Sequence, residues 1–484
     1  MPLKTVDEYL KSISELNPTV YVAGERVKNI LEHPNLTPVI NSVAKTYQLA
    51  QNPKYSEVMT AKSHITGERV NRFNHIPRSI EDLEKRMELA ILTSQKIGSC
   101  SYRCPGCDAL SALESVTYEM DKKLGTNYHA RFINYLKYVQ ENDLACSGAL
   151  TDPKGNRRLR PKEQEDPDLY VRVVEKGDDG IVVRGAKVNQ SGSAAAHENI
   201  VVPGLTLREG EEEYAVAFAV PSNAKGLVHI MQETPEDAER RAAETPEDLG
   251  IPKYGVRETF IMVFDDVFVP WDRVFMCGEV AFTRELVLRF ASNHRMSSAG
   301  CKVGFAESVI GATYAIAEYN GLAGAPNIRV ELADMIRVQE TVRACGLAAA
   351  LKGWRAESGT YYPNHVLANV AKLASAYGFM EMLKDAIDIS GGLTVTLPSL
   401  KNLRNPEVAG YLRKYLKGAA GVPPEHRIRM FKFLQTWVAG PHAPGAWHGG
   451  GSPMAQLITL YALTDLESKK RQAMELAGIV EEGE

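Results

Sequence analysis

One histidine and three cysteines stand at spacings that suit metal chemistry. In Ser292-Asn293-His294-Arg295-Met296-Ser297-Ser298-Ala299-Gly300-Cys301-Lys302, His294 and Cys301 are seven residues apart. That is almost two turns of α-helix, and a helical pattern from about Phe282 to Glu318 puts both side chains on one face. Far upstream, Cys100-Ser101-Tyr102-Arg103-Cys104 carries two more thiols, four residues apart. If that segment is helical, they too share a face. An imidazole and three thiolates converging from two places suit a metal or an iron–sulfur cluster.

The elements that must position these groups fall into three blocks. The first, residues 1–145, is mainly helical, with patterns at 6–16, Asn41–Gln51, Ile80–Ile97, Ala109–Leu124 and Tyr128–Asn142 and a small hairpin turning at Gly24. Pro105 disfavours helical geometry at Cys104, so the chain is expected to leave its helix there. After Leu144 the apolar period falls to two. Leu169–Val174 and Ile181–Val188 flank Lys176-Gly177-Asp178-Asp179-Gly180, a strong hairpin signal, and strands follow at Tyr214–Val220, Leu227–Met231 and Glu258–Phe268, giving a β-domain over 146–277. Thr234-Pro235-Glu236-Asp237 and its repeat Thr245-Pro246-Glu247-Asp248 read as helix starts bounding a solvated surface insertion. Helices return at 282–318, 329–356, 364–390, 405–418, 424–438 and 453–477, and Ala- and Gly-rich seams mark 278–484 as a helical bundle.

Composition narrows the function classes. With 484 residues, 44% hydrophobic and 24% charged, the chain buries a large core and forms two or three domains. A net charge of −4 without basic runs excludes an electrostatic footprint for nucleic acid. There is no targeting pattern at the N-terminus and no apolar run of membrane-spanning length, so a cytoplasmic protein without a membrane partner is expected. Seven cysteines, an odd number, argue for thiols or cluster ligands rather than disulfides. Cys146, Cys277 and Cys345 read as small apolar core residues.

Four local sequences carry a family resemblance. Gly148-Ala149-Leu150-Thr151-Asp152-Pro153-Lys154-Gly155-Asn156-Arg157, Gly185-Ala186-Lys187-Val188-Asn189-Gln190-Ser191-Gly192-Ser193, Phe264–Phe275 and Gly449-Gly450-Gly451-Ser452-Pro453 are similar to segments of the 4-hydroxyphenylacetate 3-hydroxylase flavoprotein superfamily. The resemblance implies an α+β, acyl-CoA dehydrogenase-like fold: an N-terminal helical domain, a middle β-domain and a C-terminal helical bundle. It also implies FAD, with Leu150, Thr151, Asp152, Lys154, Arg157, Asn189, Gln190, Ser191, Gly450 and Ser452 as binding residues. The chemistry of these stretches agrees: Thr, Ser, Gln and free amides can hydrogen-bond an isoalloxazine edge, and Lys154 and Arg157 can meet a pyrophosphate. Asp152-Pro153-Lys154-Gly155 reads equally well as an ordinary turn.

Within that superfamily, the cysteines and His294 resemble the ligand set of the 4-hydroxybutyryl-CoA dehydratase/vinylacetyl-CoA Δ-isomerase family. The resemblance implies a [4Fe–4S] cluster on Cys100, Cys104, His294 and Cys301, an acyl-CoA substrate and a homotetramer built as a dimer of dimers. It makes His294 both ligand and base, places Glu258 near the substrate and gives Lys302 a supporting role. In such substrates the thioester acidifies the α-hydrogen, but the β-hydrogen is unactivated, so one-electron chemistry is needed. The match has gaps. Ser298 stands where the family has a tyrosine, Tyr102 where it has a glutamine, and no glutamate aligns before the glycine loop. The departures imply an altered substrate or reaction, with Tyr102 filling the space vacated at Ser298.

Three alternatives remain from the sequence. One is a flavin hydroxylase-like oxidoreductase with incidental cysteines, and another is a non-catalytic relative. In the third, Cys100-x3-Cys104-x2-Cys107 has the spacing of radical S-adenosylmethionine enzymes, which would make Cys107 a ligand; that motif belongs in a β/α barrel, for which the chain lacks repeating units. His197 and His448, beside flavin-like segments, are outside candidates for proton transfer.

Overall fold

The computed structural model describes residues 3–242 and 248–479. The second Thr-Pro-Glu-Asp start lies mostly outside them. The helix Thr283–Tyr319 runs 37 residues, about 55 Å at 1.5 Å per residue, and forms the spine of the molecule. Helices Pro326–Leu351 and His365–Ser390 pack along it on one side, and Ile80–Ile97 and Cys104–Leu124 cross it from the N-terminal block. Gly300 and Gly304 make that crossing close. A Cβ at Gly300 would fall 2.8 Å from the Met87 carbonyl oxygen, and one at Gly304 2.7 Å from that of Ile91. The two helices therefore meet backbone to backbone beside Cys301.

The β block has two main sheets. The larger has six strands, in the order Glu25–Arg26, Val20–Val22, Leu227–Gln232, Thr259–Pro270, Gly180–Ser191 and Arg172–Lys176. The hairpin turning at Gly24 forms as its sequence predicts, and Val20–Val22 also pairs in parallel with Leu227–Gln232, a junction that alternation within each strand cannot announce. The smaller sheet orders Val274–Cys277, Val216–Pro221, Glu198–Val201 and Cys146–Ala149. Between the sheets the core includes Phe218 and Phe264 edge to face at 5.7 Å, an arrangement worth about 0.5–1.5 kcal/mol beyond area burial.

Several expected boundaries move. The helix expected from Ala109 starts at Cys104, because Pro105 sits in its first turn, where a missing N–H costs nothing. The long helix at 453–477 is two, Pro453–Leu463 and Leu466–Leu476, broken where Asp465 caps the second. The element at 405–418 keeps only Ala409–Tyr415 as helix. The insertion after Thr234 is not wholly solvated: Asp237 and Arg240 are buried, and Arg240 donates to the Pro252 carbonyl oxygen at 2.9 Å. Among the described residues no helix is long and apolar enough to cross a membrane, and all seven cysteines are unpaired.

His197, an outside candidate for proton transfer, is a buried structural group. Its Nδ1 accepts from the Ala145 N–H at 2.9 Å, its Nε2 meets the Ser12 hydroxyl at 2.9 Å, and burial pushes its pKa down to about 3. His229 is likewise buried and pushed down to about 4. Both titrate near 6.5 when unfolded, so the fold prefers them neutral. Their contribution is complete above about pH 6.5 and is lost as pH falls toward 4. At about 1.4 kcal/mol per unit, the two together weaken the fold by several kcal/mol at the acid end. Thermal melts between about pH 7 and pH 4 test this; an unchanged Tm across that window would refute it.

Candidate functional site

Cys100, Cys104 and Cys301 come together, but not by the route the spacing suggested. The helix Ile80–Ile97 stops at Gly98, in the left-handed region at φ 70°, and Cys100 lies in the loop that follows. Cys104 opens the next helix, so the two thiols do not share a helical face; a kink between two helices aims them instead. The Tyr102 N–H donates to Cys100 Sγ at 3.3 Å, and the Ser101 hydroxyl lies 3.6 Å from Cys104 Sγ. Cys104 and Cys301 share a hydrogen bond. That bond lowers the Cys301 thiol to about 6, with Lys302, Ser94 and His294 also favouring the thiolate. Burial, with Cys301 nearby, pushes Cys100 up to about 11.

His294 lies close enough to this group for its field to act on Cys301. Its Nδ1 lies 2.8 Å from Asp108 Oδ2, an acceptor, so the N–H of that contact is on Nδ1, and in the neutral ring Nε2 is then the nitrogen with the lone pair. A ligating histidine ordinarily donates its other N–H to a carboxylate in this way. Cys107 faces elsewhere: its buried thiol takes a hydrogen bond from Arg86. Among the described residues the sheets form no β/α barrel, the setting a three-cysteine motif of this spacing calls for. Among the described residues no three His, Cys, Asp or Glu side chains converge on a single metal ion. The donor set of three thiols and one open imidazole nitrogen fits an iron–sulfur cluster, whose ligands each take a separate iron.

Beside the thiols lies a buried acid. Glu258 is 1% exposed; its Oε2 accepts from the Tyr102 hydroxyl and its Oε1 from the Val256 N–H at 2.9 Å. Burial raises the Glu258 carboxyl above its ordinary range, and Asp237 adds to this. Tyr102 adopts φ 61°, a left-handed conformation costing a non-glycine residue roughly 1–2 kcal/mol. Its ring packs against Gly192, where a Cβ would fall 2.5 Å from the Tyr102 Cβ. The Gly192 N–H in turn donates to the Glu258 carbonyl at 3.2 Å. The phenol thus lies on Glu258; the sequence had expected it in the space left at Ser298.

Half-buried Arg257 and buried Lys302 and Lys372 complete the site, and sequence reasoning missed most of this group. Arg257 lies in the field of Cys100 and Cys301, its Nε without a partner. Gly445 and Gly449 make room for it: Cβ atoms there would approach its side chain to 2.3 and 3.1 Å. Burial, aided by Arg257, lowers Lys302 to about 7 and Lys372 to about 8. Lys372 donates to the carbonyl oxygens of Ala446 and Trp447 at 3.1 and 3.4 Å. Gly450, at φ 82°, borders both Lys372 and His294, and its carbonyl accepts from Arg295 Nε at 3.3 Å. In the sequence, Arg257 was visible only as a neighbour of Glu258. Lys372 gave no signal at all.

The expected flavin residues separate into two places. The first two segments touch, since the Val188 N–H and the Gln190 side-chain amide both donate to the Thr151 carbonyl, at 2.8 and 3.2 Å. The hydroxyls of Thr151 and Ser191 have no partner among the described residues, and Lys154 and Arg157 are exposed, so these remain available to a ligand. Asp152 is committed inward, to Lys187 at 2.5 Å and the Gly204 N–H at 3.1 Å, and the Leu150 carbonyl accepts from Lys187 at 3.1 Å. Asn189 pairs with Gln232. Gly450 sits beside His294, while Ser452 caps the helix Pro453–Leu463. His448 is exposed.

A helical–β–helical chain whose β block joins two segments with free hydroxyls belongs by fold to the flavoprotein class, and comparison with known proteins agrees. Family models described as 4-hydroxyphenylacetate 3-hydroxylase N terminal and C terminal match residues 5–276 and 283–478, and the chain belongs to that family. Within it, the chain is 42% identical to the 4-hydroxybutyryl-CoA dehydratase/vinylacetyl-CoA-Delta-isomerase of Clostridium aminobutyricum over 489 residues, 99% of this chain and 100% of that protein. The structure of an oxygen-tolerant archaeal 4-hydroxybutyryl-CoA dehydratase from N. maritimus superimposes with TM-score 0.96 at 39% identity, covering 100% of this chain and 96% of that one. The oxygenase component of 4-hydroxyphenylacetate 3-monooxygenase, solved with FAD, follows at TM-score 0.86 and 25% identity, covering 98% of each chain. The fold is the acyl-CoA dehydrogenase-like α+β architecture that the order of elements predicts.

Proposed function

We propose that this chain is a lyase of the 4-hydroxybutyryl-CoA dehydratase type, using FAD and one [4Fe–4S] cluster to dehydrate a hydroxyacyl-CoA thioester. The observation that carries the reading is the convergence of Cys100, Cys104, Cys301 and the Asp108-held His294 beside buried Glu258. Thr151, Gln190, Ser191, Lys154 and Arg157 would hold the flavin, and the three thiols with His294 Nε2 would hold the cluster. When bound, these groups supply one-electron transfer and a Lewis-acidic iron at the substrate hydroxyl.

The chain's own residues do the rest. Glu258, with its carboxyl raised by burial, is suited to take a proton from the acyl chain near neutral pH. Tyr102 and the Val256 N–H fix the direction of that carboxylate. Arg257 would supply the standing positive charge for a developing enolate, and Lys302 and Lys372, lowered by burial to about 7 and about 8, can donate a hydrogen bond or a proton there near neutral pH. Retention of all four ligand positions and Glu258, with change at Ser298 and Tyr102, favours a different acyl group over a different cofactor set. A homotetramer is consistent with the exposed apolar face of Met454, Ile458 and Tyr461 on the helix Pro453–Leu463.

The test is the cofactor content of protein purified without oxygen, followed by assays on hydroxyacyl- and enoyl-CoA thioesters. About four iron and four sulfide per chain, together with flavin, are expected, with loss of water from a hydroxyacyl-CoA. Flavin without iron, with oxygen consumed by the reduced protein, would move the chain to the hydroxylase class.

A further inference from the structure

Asp108 has no role in the reaction above, yet it is the most enclosed carboxylate near the site. It is 0% exposed and lies four residues after Cys104 on the helix Cys104–Leu124, so one rigid helix turn carries both a thiol and this carboxylate. Its Oδ2 holds His294 Nδ1 at 2.8 Å. Its Oδ1 has no hydrogen bond and faces the Arg86 guanidinium at 3.7 Å. Arg86 is itself tied to Asn293 Oδ1 at 3.3 Å, to the Ser111 hydroxyl at 3.2 Å and to the Cys107 thiol. The network joins three helices at the neighbour of His294. Burying a carboxylate is costly without compensation, and a simple helix contact could be made by apolar groups.

We infer that Asp108 is a positioning residue: it fixes the tautomer and ring direction of His294, so that Nε2 alone is offered to iron, and it strengthens that nitrogen as a donor. The inference rests on the reading of His294 as a cluster ligand. The acceptor-only carboxylate keeps the proton on Nδ1. Its negative charge pushes electron density through the ring, which favours the oxidised iron and keeps the histidine bound. Arg86 holds the carboxylate in line and, through Asn293, ties it to the helix that carries His294. Cys107 thereby acquires a role as a thiol that anchors Arg86.

The experiment compares the anaerobically purified wild type with Asp108→Asn, which keeps an oxygen facing Nδ1 but removes the charge, and with Asp108→Ala. Three readouts are followed: the rate of iron loss to a chelator, the reduction potential of the cluster, and the histidine nitrogen coupling in pulsed electron paramagnetic resonance of the reduced protein. The wild type is expected to show coordination through Nε2. Iron loss should quicken by about ten- to a hundredfold in Asp108→Ala and less in Asp108→Asn, with the potential moving upward in the same order. Equal iron loss and equal potentials in the variants would overturn the inference while leaving the cluster reading intact. Coordination through Nδ1 in the wild type would overturn it without any variant. A wild type that binds no iron would defeat the cluster reading and this inference with it.

Discussion

His294→Ala is expected to abolish dehydration while the protein still folds and still carries flavin. Purified without oxygen, the variant should hold well under the roughly four iron atoms of a full cluster, and turnover should fall by at least about 10³-fold. Two losses combine. The only nitrogen among the four ligand positions disappears, and with it the iron that would act as Lewis acid at the substrate hydroxyl. The two flavin segments around Thr151 and Gln190 lie on the β block and make no hydrogen bond to His294, so flavin absorbance should persist. Asp108 is left buried without its imidazole partner, which costs roughly 1–3 kcal/mol. A lower Tm with retained flavin therefore belongs to the expected result. A variant with full iron and full activity would remove His294 from the site.

Glu258→Gln carries the second large effect. Glutamine keeps the shape and can still meet Tyr102 and the Val256 N–H, so iron and flavin contents should match the wild type. Turnover should fall by about 10²–10⁴-fold, the usual worth of a positioned proton-transfer group. A base must be ionised to act, so the wild-type rate should rise with pH through the Glu258 carboxyl, whose pKa burial raises above 4.5. That acid limb should vanish in the Gln variant. Tyr102→Phe removes a hydrogen bond to a charged group, worth about 1.5–3 kcal/mol, and should slow turnover by about one to two orders of magnitude with the cluster intact. An acid limb that survives in Glu258→Gln would assign the base to another residue.

Much of this protein was legible in its residues. The switch of apolar period near Leu144 marked the β block, and the periodic run after Phe282 marked the long helix that carries His294 and Cys301. Thr234 ahead of Pro235 announced its helix start correctly because capping is a local matter. The ligand candidates were legible for the same reason: a seven-residue spacing on one helix is a local geometric fact. The error at Cys100 and Cys104 shows where local reasoning ends. A spacing of four has meaning only within one helix, and here Cys100 lies in the loop after Gly98 while Cys104 opens the next helix.

What only the tertiary structure decided is the set of contacts between residues far apart in the chain. Asp108 meets His294 across 186 positions and Tyr102 meets Glu258 across 156. Asp108 did carry a signal, one helical turn from Cys104, but nothing local says which way that helix faces. Arg257 and Lys372 look like ordinary charged residues until burial removes the water that would screen them. The sequence by itself determined the elements, their order and the donor types, since periodicity and capping act over a few residues. Which carboxylate holds which nitrogen, and which cations stand unscreened beside the thiols, followed from packing, because hydrogen bonding and desolvation depend on neighbours that only folding brings near.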